Sequence, residues 1–77
     1  MLFKEAISKR IYELCDLNNI SPNKLSELST VPHATLFDLL YMKVQNPSSY
    51  VLYRLCVALN ITLKDFFDSS LFNNLVD

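Results

Sequence analysis

The side chains able to do chemistry are few and lie mostly in one stretch. The single histidine, His33, stands in Val31-Pro32-His33-Ala34-Thr35-Leu36-Phe37-Asp38-Leu39-Leu40-Tyr41, a run with no lysine or arginine and with one acid, Asp38. An imidazole donates or accepts a hydrogen bond, a carboxylate accepts, and Ala34 and Phe37 offer apolar surface. These groups suit recognition better than bond-making. A catalytic reading would need a partner for His33, and the chain has no paired carboxylates, Cys–His constellation or glycine-rich phosphate loop. No enzyme and no cofactor are expected. Cys15 and Cys56 are far apart and, with one histidine, supply too few ligands for a metal. Each falls on the apolar stripe of a predicted helix, so both read as reduced core thiols in a cytosolic protein.

Those residues must be positioned by a small scaffold. At 77 residues the chain is one small domain, and half of its residues are hydrophobic, more than a disordered segment carries. A chain of this size buries only about 60% of its unfolded surface, so its core must be compact. The absence of any glycine argues against tight β-hairpins and for helices. Charge is unevenly placed. Residues 1–64 hold all seven basic side chains and five acids, a net of +2, while Asp65, Asp68 and Asp77 make the tail acidic. This is not the strongly basic footprint of an abundant, non-specific nucleic-acid binder. No apolar run approaches membrane-spanning length and no signal-peptide pattern opens the chain, so a soluble, cytoplasmic protein without a membrane partner is expected.

Five helices are predicted. Phe3, Ile7, Ile11 and Leu14 recur at helical spacing to about Leu17, where Asn18-Asn19 is a natural stop. Ser21-Pro22 opens a second, short helix, with Leu25 and Leu28 expected to face inward. Pro32 is best tolerated in the first turn of a third helix, which runs to about Tyr41 and buries Leu36, Leu39 and Leu40. A polar connection with Asn46-Pro47 as its turn leads to a fourth helix capped by Ser48 or Ser49 and ended by Asn60. Its apolar stripe is Leu52, Leu55, Cys56 and Leu59. Thr62-Leu63-Lys64-Asp65 resembles a capping box opening a fifth helix through Phe67. Residues 1–68 are thus read as the domain and 69–77 as a tail of a helical turn or two.

Two short helices joined by a turn of about four residues are the layout of a helix-turn-helix. The residues also resemble the Cro/repressor-type helix-turn-helix family, the XRE family of DNA-binding transcriptional regulators. The likeness is carried by Ile7-Ser8-Lys9-Arg10-Ile11, by Ile20-Ser21-Pro22-Asn23-Lys24-Leu25-Ser26-Glu27-Leu28-Ser29 and by Val31-Pro32-His33-Ala34-Thr35-Leu36. Lys43, Asn46-Pro47 and the run from Leu55 to Phe67 extend it, so that it spans roughly Ala6 to Phe67. The resemblance implies an all-α, five-helix domain with the helix-turn-helix at its second and third helices, and double-stranded DNA as the partner. It further implies backbone contacts from Ser21 and Pro22 and groove-facing positions at Pro32, His33, Ala34, Phe37 and Asp38. Thr35 stands where a Ser or Thr is usual, and further backbone contacts fall to Tyr41, Lys43, Gln45 and Asn46.

Departures from the family pattern are informative. Thr30 and Met42 occupy positions where glycine is common and where φ tends to be positive, which costs a β-branched residue most. Cys15 and Leu40 replace an Arg–Glu pair, a double change to apolar groups that a fold can tolerate. Pro22 replaces a Gln and removes one hydrogen-bond donor. Two readings of Phe37 stand equal, a groove contact or a core or dimer-interface aromatic. Asp38 could accept from cytosine N4 but is better read as capping or pairing with a neighbour such as Lys43. Phosphate attraction is then expected from helix N-termini and from Lys9, Arg10, Lys24 and Lys43. So few cations imply modest affinity per protomer and a homodimer on paired half-sites. Phe67, Leu71 and Leu75 in the tail suit either a dimer contact or packing against the first and fifth helices, the latter slightly favoured. The function expected is a sequence-specific regulator, a repressor. The alternative is a helix-turn-helix used for protein contact, antitoxin-like, with weak or lost DNA binding.

Overall fold

Helices form where apolar residues recur three and four apart and where a serine, threonine or proline marks the start. The computed structural model describes residues 1–77, with α1 (Phe3–Leu17), α2 (Pro22–Ser29), α3 (His33–Leu40), α4 (Ser49–Leu59), α5 (Leu63–Phe67) and a 3₁₀ turn at Ser70–Phe72. Three helix starts are closed by their own N-cap hydroxyls: Ser21 accepts from Lys24 N–H at 3.1 Å, Ser48 from Val51 N–H at 3.3 Å and Thr62 from Asp65 N–H at 3.0 Å. Asp65 answers Thr62 by accepting its N–H at 3.0 Å, completing a capping box. Pro22 is the first residue of α2, and Pro32 is the N-cap of α3.

One cluster of 14 buried residues holds the helices together. It takes Ile7, Ile11, Leu14 and Cys15 from α1, Leu25 from α2, Leu36, Leu39 and Leu40 from α3, and Leu52, Leu55, Cys56 and Leu59 from α4. Val31 of the turn and Phe66 of α5 complete it. Cys15 and Leu40 therefore do sit in one apolar core. The nearby polar link is smaller: buried Ser8 donates to the Leu40 carbonyl at 2.7 Å, tying the end of α3 to α1.

Without glycine, every left-handed position falls to another residue. Asn19, Asn60 and Asn74 take three of them, and Thr30 and Met42 the other two, at φ 58° and 61°. Asparagine tolerates this region, whereas threonine and methionine hold it at a cost.

The expectation for Leu28 is overturned. Leu25 and Ser29, four residues apart, form the buried side of α2, and Leu28 lies off it, 49% exposed. The reason is the helical register: the side set by Leu25 and Ser29 faces the core, and α4 meets the end of α2 through Arg54, which donates to the Ser29 carbonyl. The segment after α5 folds back on α1. Phe72 meets Phe3, Phe66 and Phe67 at ring separations of 6.3, 6.1 and 4.9 Å. Val76 N–H reaches the Met1 carbonyl at 3.2 Å, and Asp77 accepts from Phe3 N–H at 2.9 Å.

Candidate functional site

The turn between α2 and α3 is held from three sides. Ser29 Oγ accepts from Val31 N–H at 3.2 Å, and Ser26 Oγ donates to the Val31 carbonyl at 2.7 Å. Arg54 Nε and Nη2 both donate to the Ser29 carbonyl, at 3.2 and 3.1 Å, and Nη2 also reaches Thr30 Oγ1. A half-buried guanidinium on the last carbonyl of a helix satisfies a group that would otherwise lack a partner. The strained Thr30 is thereby fixed, and with it the angle at which α3 leaves α2.

That angle presents one side of α3. Leu36, Leu39 and Leu40 point into the core, while Pro32, His33, Ala34 and Tyr41 are exposed and Thr35, Phe37 and Asp38 are half-buried. Pro32 offers no side-chain cap, so the first N–H groups of α3 have no side-chain acceptor. The other helix starts differ: α2, α4 and α5 have hydroxyl caps, and at α1 Glu5 and Asp77 accept from Leu2 and Phe3.

His33 joins the two helices of the motif. Its Nε2 lies 2.9 Å from Oδ1 of Asn23, one residue beyond Ser21-Pro22 in the first turn of α2. Its ring stacks on Phe37, with centroids 4.0 Å apart and planes 15° apart, and Phe37 meets Tyr41 edge-on at 5.7 Å. The Lys43 ammonium lies 6.0 Å from the Tyr41 ring centre. A column of three rings thus runs along α3 and ends beside a cation. Phe37 packs partly against the core while its ring joins this column.

The expected pairing of the Asp38 and Lys43 side chains does not form. Lys43 instead donates its backbone N–H to the Asp38 carbonyl at 2.9 Å, part of the turn that ends α3. Asp38 lines a shallow groove with Thr35, Asn46, Pro47, Ser48 and Val51, between α3 and the start of α4. Met42 at positive φ turns the chain at that point, so Lys43 is carried toward Tyr41. Gln45 and Asn46 are exposed on the connection to α4, Ser21 is exposed, and Pro22 is half-buried.

The inventory of free cations is shorter than the sequence suggests. Arg10, expected to attract phosphate, donates to the Phe66 carbonyl at 2.7 Å and the Asp65 carbonyl at 2.8 Å and pairs with Glu13. It closes the end of α5 and is not a free charge. Lys24 has Glu27 at 3.5 Å, an exposed pair that leaves the ammonium in water. Sequence reasoning missed Asn23 and Arg54. Asn23 gave only the weak signal of a polar residue at a helix start, and the partner of Arg54 is 25 residues away. The two thiols are buried and free: burial pushes both upward in pKa, helped by Asp16 at Cys15, and at Cys56 by Asp65 against a smaller opposing effect of Arg10.

No helix is long and apolar enough to cross a membrane. A family model described as a Cro/C1-type helix-turn-helix DNA-binding domain matches residues 10–70, most of the chain. No curated protein and no solved structure matches significantly.

Proposed function

The chain belongs to the Cro/C1-type helix-turn-helix family of DNA-binding domains, and from that premise we propose that it is a sequence-specific transcriptional regulator, a repressor, that places α3 in the major groove of double-stranded DNA. The supporting observation is the bare N-terminus of α3: among the five helices only this one starts without a side-chain acceptor, at the tip formed by Pro32, His33 and Ala34. Unpaired N–H groups and the positive end of the helix dipole suit an acceptor supplied from outside. Lys24 and Lys43 flank the site, Ser21, Pro22, Gln45 and Asn46 line the path of the sugar–phosphate backbone beside it, and Tyr41 stands between that path and the groove. His33, Ala34, Thr35, Phe37 and Asp38 then face or border the base edges.

With so few free cations, one protomer binds weakly, and a homodimer on two half-sites about one helical turn apart supplies the needed affinity. Promoter occlusion follows from such a dimer. A second reading, a protein-contact module with little DNA binding, is favoured by one observation, the ring column on a helix without a lysine or arginine.

Selection of duplex fragments from the source genome, followed by titration of the best site at several salt concentrations, separates the two. An inverted-repeat site whose binding weakens with salt, and weakens again in folded His33→Ala, is the expected result. Failure to enrich any site with folded protein at low salt sinks the regulator reading.

A further inference from the structure

Granting the DNA-binding reading, the chemistry of α3 narrows what it can recognise. Guanine is read best by the two-pronged donors of Arg or Lys, and adenine by the matched donor and acceptor of Asn or Gln. None of these four residues occurs between His33 and Leu40, and Thr35 and Asp38, the other polar residues of the helix, are half-buried against the start of α4. The imidazole of His33 has one nitrogen engaged by Asn23. What remains in quantity is apolar surface: the ring column His33–Phe37–Tyr41, with Ala34 exposed beside it and Tyr41 itself 58% exposed. In the major groove the one apolar group on a base edge is the 5-methyl of thymine.

We infer that the His33–Phe37–Tyr41 column reads thymine methyl groups, and that the half-site is a thymine-bearing A·T run. The ring centroids are 4.0 and 5.7 Å apart, so the column is short enough to lie within a major groove about 12 Å wide. The rings hold one another through a stack and an edge contact, so little side-chain freedom remains to be lost on binding. Asn23 anchors the first ring to α2, and Phe37 leans on the core, so the column is fixed before DNA arrives. Methyl groups carry no charge, which reconciles an acidic, cation-free helix with a polyanionic partner: phosphate attraction is left to the flanks.

The test uses the full chain and random-sequence duplexes. Selected sites should share thymines, and replacing single thymines by deoxyuridine deletes only the methyl group. Each contacted methyl should then cost about fourfold in affinity, the transfer value of one carbon group. That penalty should shrink toward one in Tyr41→Ala and Phe37→Ala. Phe37 also packs on the core, so the exposed Tyr41 variant, checked for helicity, and the deoxyuridine series on the unaltered protein remain decisive if Phe37→Ala unfolds. Selected sites that bind equally well with deoxyuridine overturn the inference and leave the DNA-binding reading standing. A folded protein that enriches no site overturns both, and assigns the column to a protein partner.

Discussion

Thr30 and Met42 hold left-handed backbone without being glycine, and each does so at one end of α3, before it or just past it. A residue with a Cβ in this region costs about 1–2 kcal/mol, most for a β-branched one. Met42 makes no hydrogen bond through its side chain, so Met42→Gly should raise stability by about 0.5–1 kcal/mol, the larger flexibility of glycine in the unfolded chain offsetting part of the relief. Urea unfolding at fixed slope checks this, and an unchanged or lower midpoint would deny that the position is strained. Thr30→Gly should gain less, because the hydroxyl also meets Arg54. Thr30 thus shows strain kept in place by a partner on another helix. Cysteine chemistry follows the same local logic. Cys15 and Cys56 are buried with their pKa values raised, chiefly by desolvation, so a thiol reagent near neutral pH should label them only as fast as the fold opens.

Helix ends explain most of what the polar side chains do, and α5 depends on them most because it has only five residues. Arg10 donates to its last carbonyls from α1, and Thr62 and Asp65 close its first turn. Removing the fork in Arg10→Met should cost about 1.5–3 kcal/mol, the range for hydrogen bonds to a charged group, and Arg10→Lys should recover only part of it because an ammonium lacks the planar fork. Equal stability of the Lys and Arg forms would argue against a bidentate role. The N-terminal side of α5 carries a pH dependence. Hydrogen bonds from the Thr62 backbone and hydroxyl hold the Asp65 carboxyl below its ordinary value, with Lys64 a smaller aid. A depressed folded pKa means that this contribution is complete above the ordinary aspartate range and is lost as pH falls through the folded value. In Thr62→Ala the midpoint of Asp65, followed by NMR of its carboxyl carbon, should rise part of the way to the ordinary value, since the backbone N–H remains. Helix starts and stops were legible in the sequence because caps and periodicity are local: Ser21-Pro22, Ser48, Thr62 and Asn60 each act within a turn. The roles of Arg10 and Arg54 were not, because their acceptors are backbone carbonyls 25 or more residues away, and a carbonyl has no letter in a sequence. The same holds for Asp38, whose backbone rather than carboxylate meets Lys43.

Across the whole molecule the two arginines stabilise ends of helices, the acids of the tail collect beyond residue 64, and the charge left for a polyanion is small. This has a measurable consequence for how the protein binds DNA. Each phosphate neutralised contributes about −0.9 to the slope of log K against log salt. If Lys24 and Lys43 are the contacts and two protomers bind, four phosphates are engaged and the slope should be about −4, shallow for a specific binder. Lys43→Ala, which also removes the cation beside Tyr41, should flatten the slope to about −2 in the dimer and weaken binding by the same factor on every sequence. Arg10→Met, by contrast, should leave the slope unchanged once its loss of stability is allowed for, since its guanidinium is already committed to Phe66 and Asp65. A slope near −8 would mean that cations outside the α2–α3 unit reach the backbone, Lys4, Lys9 and Lys64 being those available. A slope near −2 in the unaltered protein would mean one protomer per site. With Lys24 and Lys43 as the only contacts, salt dependence reports the number of protomers, and the affinity that remains at high salt isolates the apolar contribution of α3.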